Sequence, residues 1–391
     1  MLKDASVNNL RCGLEECGQG QKVKMTVKIA IAKPLIGQEE IDAVSKVLAS
    51  GQLAQGPTVA EFEKQFAEYH GARQGVAVSN GTTALTASLM AHDIGQGDEV
   101  IVPSFTFFAT ASAVLSVGAK PVFCDIDPVT YCLDPALVEA KLTPRTKAIM
   151  PVHLYGHPAS MPAFVELCAK HKLALLEDSA QAHGASIGTK KVGTWGTASF
   201  SFYPTKNMTT TEGGMVLTND EEIARRLRII RNQGMNQQYH HERLGYNLRM
   251  TDMCAAIGIV QLGKLPGWTE KRQRNAAYYN EHLRHVTTPK PRDGYTHVYH
   301  QYTVRVPKGA DRDKICSSLN DRGVGVRVYY PKPIHCQPVF TQMSGYSDLK
   351  LPETDLATSQ VFSLPVHPSL NGDELRYVVE QVNEVLAGAV S

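Results

Sequence analysis

Between residues 75 and 217, short runs of nearly unbroken apolar residues alternate with stretches whose apolar positions recur at helical spacing. The runs are Gly75-Val-Ala-Val78, Glu99-Val-Ile-Val102, Pro121-Val-Phe-Cys124, Ala148-Ile-Met-Pro-Val152, Leu173-Ala-Leu-Leu176, Ala198-Ser-Phe-Ser201 and Gly214-Met-Val-Leu217. A strand that is apolar at every position has both faces covered, so the alternation predicts a mostly parallel sheet with helices on each side. Ahead of it, residues 37–48 and 58–69 carry helical periodicity behind Ile36-Gly37 and Gly56-Pro57, which predicts two surface helices. Beyond it, residues 221–231 read as a charged helix, 232–247 as a polar loop, and 251–262 as a helix of small apolar residues. The rhythm then changes. Strand-like 301–306 and 325–328 stand beside helical 311–321 and 373–386, as in a smaller α+β unit. The expected fold class is α/β, with a large domain over 28–265 and a small C-terminal domain over 266–391. Residues 1–27 lack apolar periodicity and read as a flexible leader, and there is no internal repeat.

Composition agrees with two domains, because 391 residues exceed what one hydrophobic core supports. Hydrophobic residues at 43% and charged residues at 20% are ordinary for a globular chain, and no apolar run approaches the ~20 residues of a membrane span. No membrane association is expected. A net charge of +2 gives no global attraction for nucleic acid, so an anionic ligand must be met by a local site. The eight cysteines form no CxxC pair and no zinc-like cluster, and read as buried reduced thiols of a cytoplasmic protein. Cys12 and Cys17 lie in a polar segment without the long apolar stretch of a signal peptide.

One lysine is set apart by its surroundings. Lys206 follows the short strand at 198–201 and sits between Pro204-Thr205 and a Thr-rich run ending in Gly213-Gly214, where turn residues hold backbone and bury little apolar surface. Most lysines are merely solvated, but here the strand at 173–176 ends in Glu177-Asp178 and places an acid at the same sheet edge. An amine and a carboxylate together suit pyridoxal phosphate (PLP), which needs an imine partner for its aldehyde and an anion to keep its pyridine nitrogen protonated. Ser79-Asn80-Gly81-Thr82-Thr83 enters a helix after a strand, so Gly81, Thr82 and Thr83 are candidates for a phosphate at a helix N-terminus; a plain helix cap fits the same residues. Ser201 offers a further hydroxyl. In Pro103-Ser-Phe-Thr-Phe107, Phe107 is preferred to Phe105 for stacking on a flat ring, and Gln181 lies within reach of a ring oxygen. His183 and His240-His241 lack partners at ligand spacing, so no metal is expected. The phosphate-loop, dinucleotide and serine-hydrolase signatures are absent.

Four motifs in order, Glu177-Asp-Ser-Ala-Gln-Ala-His-Gly184, Phe200-Ser-Phe-Tyr-Pro-Thr-Lys206-Asn, Glu212-Gly-Gly214 and Gly245-Tyr-Asn-Leu-Arg-Met-Thr-Asp252, resemble the DegT-like sugar aminotransferases. The resemblance runs from about residue 28 to the C-terminus. It implies a fold-type I PLP enzyme, a homodimer with active sites at the subunit interface, and an Asn247 that reaches the partner subunit's PLP phosphate. It implies that Asp178 pairs the pyridinium, Lys206 holds the internal aldimine and shuttles protons, and Gln181, Ser201, Thr82 and Phe107 contact ring and phosphate. Arg249, Tyr330 and His335 become candidates for the sugar. Some relatives carry histidine at the lysine position and dehydrate, so Lys206 favours transamination. An amino acid, L-glutamate first, would load the cofactor as pyridoxamine phosphate, which would aminate a keto-sugar nucleotide, with a dTDP-4-keto-6-deoxyhexose as the specific expectation. A cyclitol ketone, a 3-keto sugar, a dehydratase on the same scaffold and a PLP-binding regulator without turnover are the competing readings.

Overall fold

A computed structural model describes residues 29–343, 345–346 and 348–390; the expected leader, with Cys12 and Cys17, lies outside the described residues. Two helices come first, α1 (Gln38–Ser50) and α2 (Pro57–His70), close to where periodicity places them. Seven strands follow as β1 (Gln74–Val78), β2 (Glu99–Pro103), β3 (Lys120–Cys124), β4 (Thr146–Ile149), β5 (Ala174–Asp178), β6 (Thr197–Ser201) and β7 (Gly214–Thr218). They form one sheet in the order β1-β7-β6-β5-β4-β2-β3, in which only β7 runs against its neighbours. The seven runs of the sequence are these seven strands.

Their continuous apolar character has the expected cause. On β2, Val100 and Val102 pack with Leu85 and Leu89 of α3 (Gly81–Ala91) and Val114 of α4 (Ala109–Ser116), while Ile101 faces Met161 and Phe164 of α5 (Met161–His171). On β1, Val76 and Val78 face Ile223 and Leu227 of α6 (Glu221–Arg231), whereas Ala77 shares a core with Phe62 and Phe66 of α2. Alternate residues therefore serve opposite layers, and each layer removes apolar area from water at about 25 cal/mol per Å².

The helix expected over 251–262 is longer than its pattern shows. It is α7 (Asp252–His282), 31 residues that pass through Pro266 and through residue 265 without a break. The polar run after Trp268 hides its continuity, because its buried positions thin out to Arg272, Asn275, Ala276 and Tyr279. At its start, Gly258 lies so close to Phe62 that a Cβ there would meet the ring at 2.7 Å. At its end, Ala276 and Tyr279 enter a separate core with Val304, Leu364 and Val378. That core belongs to the antiparallel pair β8 (Tyr302–Arg305) and β9 (Val361–Leu364), with α8 (Arg312–Asp321) and α9 (Gly372–Val390).

Two local expectations fail. The stretch 232–247 is not all loop, since Met235–Gln237 pairs antiparallel with His240–His241. Residues 325–328 form no strand; Val324 and Arg327 make single bridges, to Ile29 and Ser363. The described cysteines are free, with Cys124, Cys132, Cys168 and Cys316 buried, and Cys254 and Cys336 half-buried. Among the described residues no helix is long and apolar enough to cross a membrane.

Candidate active site

The parallel strands end on one edge, and the candidate residues collect there, where open α/β sheets hold ligands. Strand β5 delivers Asp178 opposite Ser199 of β6. The carboxylate is buried; Thr110 Oγ1 donates to its Oδ2 at 2.8 Å and the Ala180 N–H to its Oδ1 at 3.2 Å. Burial pushes its pKa above the ordinary carboxylate range, against the Thr110 hydroxyl, the Ala180 N–H and the charge of Lys206. Two residues along β6, Ser201 pairs with Gly214, which pairs in turn with Val78, so the ends of three strands form one row.

The loop from that row carries Lys206. It is laced to itself: Thr209 Oγ1 donates to the Phe202 carbonyl at 2.8 Å, Thr210 Oγ1 to the Glu212 carbonyl at 2.8 Å, and the Lys206 N–H to the Tyr203 carbonyl at 2.9 Å. Asn207 Nδ2 ties it to the Val298 carbonyl at 3.0 Å. Desolvation brings the Lys206 amine down to a pKa of about 8, with the Asp178 carboxylate pulling the other way. The residue as a whole is half-buried.

Helix α3 starts beside Ser201. A Cβ on Gly81 would lie 2.6 Å from that of Ser201, so only glycine lets the helix end approach so closely. Thr83 does not share this opening: its N–H donates to Asn80 Oδ1 at 2.9 Å and its hydroxyl to the Asn80 carbonyl at 2.8 Å, which makes it part of the cap. The N–H groups of Gly81 and Thr82 have no carbonyl a turn behind them and remain the free donors of the first turn.

Phe105 and Phe107 differ in burial, with Phe105 1% and Phe107 57% exposed. The Phe107 ring lies 6.1 Å from that of Tyr330, and Gln181 Nε2 donates to the Tyr330 hydroxyl at 3.1 Å. Lys206, Asp178, Gln181, Ser201, Gly81, Thr82, Phe107 and Tyr330 thus share one edge. His335 is instead a core residue, 3% exposed, with Nδ1 2.7 Å from Ser104 Oγ. Arg249 stands to the side, donating to Asn232 Oδ1 at 2.8 Å. Asn247 is exposed, although the adjoining Leu248 carbonyl accepts the Ser79 N–H at 2.8 Å and keeps this segment beside the β1–α3 turn.

Thr110 is the functional neighbour that sequence reasoning missed, for a hydroxyl inside a helix gives no outward signal. Glu177 has a role that strand alternation does predict: adjacent side chains point to opposite faces. It turns away from Asp178 and accepts the Gly193, Trp195 and Gly196 N–H groups at 2.8–2.9 Å and His153 Nε2 at 3.1 Å. Because His153 Nδ1 accepts the Ala159 N–H, its proton sits on Nε2 and the ring is neutral. Among the described residues, no three His, Cys, Asp or Glu side chains converge as metal ligands.

The amine, the buried acid, the glycine-walled helix end and the exposed ring fit PLP, an aldehyde with a basic nitrogen, a phosphate and a flat face. The comparisons agree. A profile of the DegT/DnrJ/EryC1/StrS aminotransferase family matches residues 34–383. The chain is 45% identical over 353 residues to a pleiotropic regulatory protein of Geobacillus stearothermophilus, covering 88% of this chain and 94% of that one. It is 41% identical over 354 residues to the UDP-N-acetyl-3-dehydro-alpha-D-glucosamine 3-aminotransferase of Acidithiobacillus ferrooxidans, covering 90% and 94%. The crystal structure of S. venezuelae DesV in complex with a ketimine intermediate superposes with a TM-score of 0.84 at 39% identity, covering 89% and 94%. Motif order, sheet topology, site geometry and these matches lead to one assignment: the chain belongs to the DegT/DnrJ/EryC1/StrS aminotransferase family.

Proposed function

We propose that this protein is a PLP-dependent aminotransferase that moves an amino group from an amino acid, L-glutamate first, to a nucleotide-linked keto-sugar. The observation that carries the reading is the desolvated Lys206 amine beside the buried Asp178 carboxylate. Asp178 would hold the pyridinium nitrogen, Gln181 the ring oxygen and Phe107 the ring face. The Gly81 and Thr82 N–H groups and the Ser201 hydroxyl would take the phosphate, with Thr83 fixing the helix end beneath it. Bound there, PLP supplies a carbonyl for the amine and an electron sink for the donor's α carbon. Lys206, its pKa brought down by burial, is the base that removes the proton from that carbon at Nζ and later returns one.

The sugar we propose is a dTDP-4-keto-6-deoxyhexose, with Arg249 and Tyr330 as contacts. The Acidithiobacillus relative favours a second reading, amination at C3, since its name gives a 3-dehydro UDP sugar. The name of the Geobacillus relative favours a third reading, a regulator that would hold the cofactor on Lys206 without turning over a keto-sugar. We also propose a cytoplasmic homodimer in which the exposed Asn247 completes the phosphate site of the partner subunit.

The purified protein, PLP and L-glutamate should be incubated with a dTDP-4-keto-6-deoxyhexose, a UDP-3-keto-hexose and a keto-cyclitol, and the products followed by mass spectrometry. An amino sugar from a nucleotide substrate, absent with Lys206→Ala, supports the reading. Amination of the cyclitol alone, or loss of water without gain of nitrogen, overturns it. Mixed dimers of Lys206→Ala and Asn247→Ala subunits should regain activity if Asn247 acts across the interface.

A further inference from the structure

The amide of Gln181 has its orientation fixed by its neighbours. The Tyr155 N–H donates to Gln181 Oε1 at 2.7 Å, and a backbone N–H can only donate, so Oε1 is the oxygen and Nε2 faces the other way. One of the two Nε2 hydrogens goes to the Tyr330 hydroxyl at 3.1 Å, which leaves the second as a free donor. Tyr330 is itself held: its ring lies 6.3 Å from that of Phe105 and 6.1 Å from that of Phe107, and Tyr155, whose backbone fixes the amide, donates its hydroxyl to the Tyr329 carbonyl. Gln181 and Tyr155 belong to the large sheet body, while Tyr330 arrives from the C-terminal part of the chain.

We propose that Tyr330 is a positioning residue that acts through Gln181: by accepting one amide hydrogen it aims the other at the cofactor's ring oxygen, so that the C-terminal segment sets the protonation of the cofactor's link to Lys206. The proposal rests on the PLP reading above. A donor at the ring oxygen stabilises its anion and weakens its hold on the proton it shares with the Lys206 nitrogen. Without the Tyr330 hydroxyl only the Tyr155 N–H holds the Gln181 amide, at its oxygen, so Nε2 is aimed less firmly at the ring oxygen, the donor bond weakens, and that proton is kept to higher pH. The titratable and charged groups around this link are Asp178 on β5, His153 and Tyr155 after β4, Tyr329 and Tyr330 on the C-terminal segment, Arg272 on α7, and His183 and His300 near the lysine. Burial holds His183 and His300 neutral, so they add no charge across the range of interest.

The test is a spectral titration of the PLP-loaded protein, following the pH midpoint of the cofactor's visible band. Tyr330→Phe keeps the ring and its packing on Phe105 and Phe107 but removes the oxygen, and should raise the midpoint by about one pH unit. Gln181→Leu should raise it by at least as much. The double variant should move no further than Gln181→Leu alone, because a residue acting through another has nothing left to act on. An unmoved midpoint in Tyr330→Phe, or additive shifts in the double variant, would overturn the proposal while leaving the PLP reading intact. No visible band in the unsubstituted protein after PLP is added would sink both.

Discussion

Replacing Asp178 by Asn should move the rate of imine formation and the rate of turnover in opposite directions. Burial lowers the pKa of Lys206 from an ordinary 10.5 to about 8, and the Asp178 carboxylate is the one charge that opposes the fall. At pH 7 an amine with a pKa of about 8 is free base in about one molecule in ten, against about one in 3000 for an ordinary lysine, a gain of about 300-fold in the form that attacks an aldehyde. Asp178→Asn removes the opposing charge, so the pKa should fall further and the free-base fraction at pH 7 should rise. Turnover should nonetheless drop by orders of magnitude, for the amide cannot hold a charged pyridinium. Cofactor-stripped protein mixed with PLP at a series of pH values gives the rate of band formation directly. The rate should follow a titration curve with a midpoint near 8, and Asp178→Asn should bring that midpoint down. A rate that climbs past pH ~9.5 without inflection, or a midpoint that Asp178→Asn leaves in place, would refute the desolvated-lysine argument.

Other outcomes follow from the same geometry. Gly81→Ala places a Cβ 2.6 Å from that of Ser201 and must push α3 off β6, so the PLP dissociation constant from a band titration should rise about tenfold or more. Asp252→Ala strips the buried acceptor from the Gly56, Thr58 and Val59 N–H groups, at 2.8, 3.3 and 3.0 Å, and should cost about 3 kcal/mol or more in urea unfolding. His70 donates through Nδ1 to the Phe66 carbonyl and accepts the Gly184 N–H at Nε2, so the fold holds it neutral, with burial bringing its pKa down to about 3. Its folded value lies below the unfolded 6.5, so the unfolded chain binds more protons as pH falls; His70 alone should cost about 2 kcal/mol between pH 7 and 5, which unfolding curves at the two pH values will show.

The strands, the first two helices and the placement of Lys206 and Asp178 at one sheet edge were legible because each rests on a local signal: an apolar run, a helical period, or a polar residue at a strand end. What was not legible depends on contacts between distant segments. α7 continues past its apolar pattern because its far half packs into a second core, and Pro266 with the polar run after it looks from sequence like an end. Val324 and Arg327 bridge singly, to Ile29 and Ser363, partners that lie far away in the sequence. His335 resembled a polar group on a variable loop, but Ser104, 231 positions away, holds its ring in the core. Thr83 looked like a phosphate ligand because a cap and an anion site use the same residue types, and only the Asn80 bonds separate them. Thr110 was invisible for the converse reason, being one more hydroxyl in an apolar helix until β5 brings Asp178 to it.

The central claim is that Lys206, and no other lysine, carries the cofactor. Borohydride reduction of the PLP-loaded protein, followed by peptide mass spectrometry, tests it directly, because reduction fixes the cofactor to whichever amine holds it. The account predicts a phosphopyridoxyl group on Lys206 alone, lost when L-glutamate is added before reduction. A label on another lysine, or none on any, would contradict it.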